Sequence, residues 1–272
     1  MAEISAANVM KLRKATGAGM MDCKAALQES NGDFDVAIDT IRKKGQLVAS
    51  KRADREASEG AVIAKSAGSK GAVIILNCET DFVAKNEKFV AFAHSIMDLA
   101  IEKSPSDLEA LKALKMGDKT VAETIIGEVG IIGEKLELSF YGKIEAGEVV
   151  AYIHPGNKLA TLVGFNKKVA VQVGKDIAMQ IAAMSPVAVD KENVSEELIA
   201  KEKEIGREQA RLEGKAENML DKIAEGKLNK FFKDYTLLNQ DFTKDSKKTI
   251  RQYLKESDST LTVTEFFRQS LK

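Results

Sequence analysis

One pattern is written twice in this chain, and it restricts the fold more than any other feature. From Gly60 the residues AVIAK lead through a Gly68, Ser69, Lys70, Gly71 turn into AVIILN, and a periodic stretch from about Asn86 then carries Phe89, Ala93, Ile96 and Ala100 to Ser104 and Pro105. From Gly147 the residues EVVAYIH lead through Pro155, Gly156 and Asn157 into LATLVGF, and a second periodic stretch carries Ile177, Ile181 and Met184 to Ser185 and Pro186. Two apolar runs joined by so short a turn pair antiparallel, and the helix after each pair must lay its apolar face on the hairpin. The spacing therefore predicts an α+β fold with a core of two similar hairpin-plus-helix halves, of the kind a duplication produces.

The two copies differ in one place. The first needs about six more residues to travel from its hairpin to its Ser-Pro, and they fall around TDFVAKNE. Thr80, Asp81, Phe82 and Val83 form this loop, with a large aromatic beside an acid where the chain turns between two regular elements. An aromatic so placed is suited to insertion into a partner; the competing reading is that Phe82 caps the adjacent core.

The chain before the core reads as three helices. Ser5 opens a helix carrying Val9 and Leu12, a second carries Met20, Cys23, Ala26 and Leu27 to Asn31 and Gly32, and Asp33 caps a third with Phe34, Ile38 and Ile41 that is expected to close at Gly45. After the first core half, Leu108 to Met116 and Asp118 to Glu128 read as short helices, and LELSFYGKI from Leu136 to Ile144 as a strand. Ser195 starts a long charged helix in which Leu198, Ile205 and Leu212 recur every seven residues, and a second helix with Leu220, Ile223 and Leu228 returns beside it as a projecting arm. The expected domains are a three-helix module at 1–45, a linker at 46–59, the first core half at 60–146, part of the second at 147–189, the arm at 190–228, and completion of the second half at 229–272.

Charge and composition exclude several functions. The 41 basic and 41 acidic side chains cancel, so no overall field draws the chain onto nucleic acid or an anionic membrane. The opening MAEISAANVMKLRK lacks the apolar core of a signal peptide and no stretch reaches membrane-spanning length, from which a cytoplasmic protein is expected. Cys23 and Cys78 are too few for a disulfide framework or a zinc site, and no Gly-x-x-x-x-Gly-Lys-Ser/Thr loop is present to wrap a phosphate. No cofactor, metal or covalent chemistry is predicted. Gly127, Gly130 and Gly133 read as turn residues. An enzyme reading would have to combine Cys78 with His94 or His154, the only histidines, and nothing in the spacing joins them. Phe231 and Phe232 beside Lys230 and Lys233 are better explained by a helix end packed on the core than by base stacking.

Two long stretches carry a family likeness. LRKATGAGMMDCKAAL with NGDFDVAI, and NCETDFVAKNEKF, resemble the two signatures of bacterial elongation factor Ts, the nucleotide exchange factor of the translational GTPase elongation factor Tu. The order of parts agrees through the second hairpin, the arm and KTIRQYL, so the resemblance covers nearly the whole chain. It implies a ubiquitin-associated-like N-terminal domain, a two-part core and a helical hairpin. It further implies that Arg13, Met20 and Met21 contact the GTPase's nucleotide-binding domain, that Asp81 and Phe82, within Thr80 to Val83, insert near the bound Mg²⁺ and phosphates, and that Ile132, Gly133 and His154 line the same surface. Elongation factor Tu is then the expected partner. A homodimer or a two-plus-two complex with the GTPase remains open, as does a non-catalytic adaptor that docks without exchanging nucleotide.

Overall fold

A computed structural model describes residues 4–271; residues 1–3 and 272, at the outer ends of the first and last expected domains, lie outside it. Helices α1 (Ala6–Thr16), α2 (Met20–Glu29) and α3 (Phe34–Lys51) form the N-terminal module. Ser5 caps α1 by accepting from Asn8 N–H, and Asp33 caps α3 by accepting from Asp35 and Val36 N–H. Val9, Leu12, Cys23, Leu27 and Ala37 make its small core, with Phe34, Ile38 and Ile41 packed around them.

The third helix departs from expectation. It does not close at Gly45 but runs through it to Lys51, so the first residues of the expected linker are helical. Gly45 is buried, and its neighbour is a helix of the core rather than solvent.

The core begins with β1 (Glu59–Ala67) and β2 (Lys70–Cys78), followed by α4 (Asp81–Ala84), α5 (Glu87–Lys103) and α6 (Leu108–Ala113). The two-residue strands β3 (Lys115–Met116) and β4 (Lys119–Thr120) come next, and then α7 (Val121–Ile132). The expected helix from Asp118 thus starts later. Thr120 and Glu123 form a reciprocal capping box that opens it. Gly127 and Gly130, expected as turn residues, lie inside α7, and only Gly133 ends it. Strand β5 (Glu137–Glu145) returns beside β2 to give the antiparallel order β1-β2-β5.

The second half repeats this plan with β6 (Glu148–Ile153), β7 (Leu159–Phe165) and α8 (Val171–Met184). The arm follows as α9 (Glu196–Leu212) and α10 (Leu220–Tyr235). The chain then re-enters the core through β8 (Asp241–Phe242), β9 (Asp245–Thr249), α11 (Ile250–Ser257) and β10 (Val263–Ser270), which completes the order β10-β7-β6.

The two sheets stack face to face. Ala61, Ile63, Ile74 and Leu76 face α5 and α7, whereas Val62, Ala64, Val73 and Ile75 face Ala160 and Leu162 of the second sheet. Val163 and Phe165 face α8 and α11 on the far side. The result is four layers, helix, sheet, sheet, helix. A strand buried on both faces needs apolar residues at every position rather than alternate ones, which is why β2 reads as the unbroken run AVIIL.

The arm is held by small residues, not by its seven-residue series. Gly206 and Ala210 of α9 are buried against Leu220, Ala224 and Leu228 of α10, while Ile205 is exposed and Leu212 is 81% exposed. A Cβ on Gly206 would lie 3.2 Å from the Cα of Ala224, so the helices touch nearly backbone to backbone. Its base is tied down where Val187 N–H donates to Tyr235 C=O (2.8 Å) and Leu237 N–H to Ala188 C=O (2.9 Å).

Candidate functional site

The link from β2 to α5 spans 79–86, whereas the matching link from β7 to α8 spans only 166–170. Only three of the six extra residues therefore lie in this link, which holds α4, and the other three lengthen α5, 17 residues against 14 in α8. Thr80 caps α4 by accepting from Val83 N–H (3.4 Å), and Ala84 is buried on its underside. Phe82 points away from the core and is 84% exposed, which removes the reading of it as a core cap. Asp81 is held below the usual carboxylate range chiefly by the hydrogen bond from Lys85 Nζ (2.6 Å), which raises Lys85 in turn.

Behind the exposed ring the loop is tightly tied. Glu134, just past Gly133, accepts from Glu79 N–H (3.1 Å), Thr80 N–H (3.0 Å) and the Thr80 hydroxyl (2.6 Å). Glu79 answers by accepting from Lys135 N–H (2.6 Å) and from Arg52 (2.6 Å) and Arg55 (3.1 Å), at and beyond the end of α3. Burial opposes ionisation of Glu79, but the donors from Lys135, Arg52 and Arg55 outweigh it and hold its pKa down to about 2. Gly133, at φ +77°, makes the left-handed turn that brings Glu134 round to the loop.

The other expected residues lie on three neighbouring parts. Met20 and Met21 are exposed at the start of α2 and Arg13 is exposed on α1. The turn between those helices approaches the core, since a Cβ on Gly17 would stand 3.1 Å from Ile131 Cδ1, next to Ile132. His154 is exposed at the end of β6, hydrogen-bonded through Nδ1 to the Tyr152 hydroxyl (3.0 Å). Its turn is fixed to β1 by Val62 N–H donating to Asn157 C=O (2.7 Å) and by Lys158 with Glu59 (2.8 Å), and α4 packs on the same strand. Beside it runs an open, mainly apolar groove of about 250 Å³ lined by Tyr152, His154, Leu159, Met179, Ala182 and Ala183.

Cys78 is masked rather than activated. The Cys78 thiol donates to Thr80 C=O (3.2 Å), and burial, together with the nearby Glu134 and Glu59 charges, pushes its pKa up to about 12. Among the described residues no three His, Cys, Asp or Glu side chains are grouped to hold a metal ion, and no helix is long and apolar enough to cross a membrane. Glu79, Glu134, Lys135, Arg52 and Arg55 escaped the sequence reading. They are ordinary charged residues whose meeting depends on tertiary contacts, and the one available signal was that Glu134 follows the glycine ending α7.

Fold and site together define an α+β protein whose candidate site is a displayed aromatic on a braced loop. The family model described as "Elongation factor TS" matches residues 79–271. Curated proteins named elongation factor Ts align over almost the whole chain. That of Porphyromonas gingivalis is 51% identical over 265 residues, covering 97% of each chain, and that of Christiangramia forsetii is 52% identical over 275 residues, covering 100% of each. The chain belongs to the elongation factor Ts family and is a translation elongation factor.

Proposed function

We propose that this chain is a guanine nucleotide exchange factor for elongation factor Tu, and that it releases GDP by disturbing the Mg²⁺ and phosphate site of that GTPase. The observation that carries the reading is Phe82: an aromatic 84% exposed on a loop whose start is tied to Glu134 through Thr80 N–H. Arg13, Met20 and Met21 dock the helical module on the nucleotide-binding domain. Asp81 and Phe82, flanked by Thr80 and Val83, enter between GTPase helices, while Ile132, Gly133 and His154 border the entry.

Burying Phe82 in a partner pocket supplies about 1.5–3 kcal/mol, or roughly 10- to 100-fold looser nucleotide if all of it is spent on the distorted state. The methionines and the groove beside His154 add binding in that state. Linkage then requires that GDP weaken the factor's binding by the same ratio as the factor weakens GDP. The factor itself makes and breaks no covalent bond, acts in the cytoplasm, and touches neither nucleic acid nor membrane.

Stopped-flow release of a fluorescent GDP from elongation factor Tu tests the proposal. Substoichiometric amounts of the chain should accelerate release, and Phe82→Ala should slow that acceleration while GTPase binding falls only moderately. Binding without acceleration would make the chain a non-catalytic adaptor. An unchanged rate for Phe82→Ala would remove Phe82 from the mechanism. Complex mass measured on the same mixture separates a one-to-one complex from a two-plus-two assembly.

A further inference from the structure

Three donors of the loop that carries Phe82 end on one carboxylate supplied by a distant part of the chain. Glu134 Oε2 accepts both backbone N–H groups, of Glu79 and Thr80, and Oε1 accepts the Thr80 hydroxyl. A hydroxyl has a single proton. With that proton committed to Glu134, the lone pairs of Thr80 Oγ1 remain available to Val83 N–H, which is the cap of α4. Glu134 thus fixes the backbone where the helix starts and the polarity of the group that caps it.

The other contacts of α4 are local or shallow, and the Cys78 thiol's hydrogen bond to Thr80 C=O (3.2 Å) comes from only two residues away, at the end of β2. A helix of four residues is too short to hold itself through its own hydrogen bonds. The Asp81–Lys85 pair is internal to the segment and moves with it. Ala84 and the half-buried Val83 fix how deeply the helix sits on the core, and the Phe82 ring is too exposed to be located by packing. We infer that Glu134 is the positioning residue for Phe82, its carboxylate orienting the start of α4 and so the direction in which the ring is presented to the GTPase. The inference rests on the reading of Phe82 as the wedge. It also gives Glu79 a part, since Glu79 accepts Lys135 N–H and thereby holds the segment bearing Glu134 in register with the loop.

The test is fluorescent GDP release from elongation factor Tu at a series of factor concentrations, with wild type, Glu134→Ala, Phe82→Ala and the double variant, each checked for folding by circular dichroism. A positioning role predicts that Glu134→Ala lowers the maximal release rate by about tenfold or more while the half-saturating concentration stays within about twofold. It also predicts that Glu134→Ala has little further effect, less than about twofold, once Phe82 is already alanine. An unaltered maximal rate overturns the inference, as does a loss confined to half-saturation, or a loss that multiplies fully with that of Phe82→Ala. Should Glu134→Ala fail to fold, Thr80→Val, which removes only the hydroxyl tie, is read by the same criteria. Failure of the wedge reading is separately visible: wild type would then not accelerate release, or Phe82→Ala would match it.

Discussion

Gly45 and Gly130 meet where α3 crosses α7, and the approach is unequal: a Cβ built on Gly130 would stand 2.6 Å from the Cα of Gly45, whereas one built on Gly45 would stand 3.6 Å from the Cα of Gly130. This crossing fastens the helical module to the core, on the same helix whose end leads into Glu134.

The asymmetry makes the two alanine substitutions differ in sign. Gly130→Ala must push the helices apart and should destabilise by about 1–3 kcal/mol. Gly45→Ala meets only ordinary van der Waals distances and removes a helix-interior glycine, so it should be neutral or stabilising by up to about 1 kcal/mol. Urea unfolding of both variants checks this, and equal losses would contradict the packing described.

Glu79 gives a pH dependence of defined sign. Its folded pKa is about 2 against an ordinary value of 4.5, so the unfolded chain binds the proton more readily. The stabilisation is therefore fully present above about pH 4.5 and is lost as the pH falls towards 2, on the order of 1–2 kcal/mol after allowance for the solvent around Arg55. Glu79→Gln should flatten the stability profile across that window and leave the slope above pH 5 unaltered, as followed by denaturant titrations at stepped pH.

Cys78 should behave as a masked thiol. Because burial and its acidic neighbours push it up to about 12, and its proton is given to Thr80 C=O, a thiol reagent at pH 8 should leave it unmodified in the native protein and label it in denaturant. Cys78→Ser should keep exchange activity with some loss of stability; a folded serine variant without activity would reopen a chemical role for the thiol.

The arm should open without the core. Gly206→Val places a branched side chain where even a Cβ lies 3.2 Å from Ala224 Cα, so it should separate α9 from α10. Amide hydrogen exchange should rise in 196–235 while β1 and β2 keep their protection. Loss of protection throughout the chain would mean that the arm is part of the core's cooperative unit.

What could be read from the residues depended on how local its cause was. Ser5, Asp33 and Ser195 cap their helices within three residues of themselves, and each was legible. The doubled hairpin was legible because its turns and apolar runs are contiguous. The stop expected at Gly45 failed because Gly130, far along the chain, turns that glycine from a terminator into a contact. Leu198, Ile205 and Leu212 suggested a seam by period, but close backbone packing needs small residues, and Gly206 and Ala210 took it. At the site, Phe82 could be singled out as an aromatic in extra length, while the carboxylates bracing it carried no pattern until the fold joined 79 to 134.

The pairing of β10 with β7 bears on how the molecule is made. A ribosome delivers the chain from its N-terminus, so β7 is produced about a hundred residues before the strand that lies along its edge. The helical module and the first sheet can close early, but residues 159–165 must wait with an open edge until 263–270 emerge. That interval is when the nascent protein is most exposed to pairing with a neighbouring chain, and slow synthesis of the arm would prolong it.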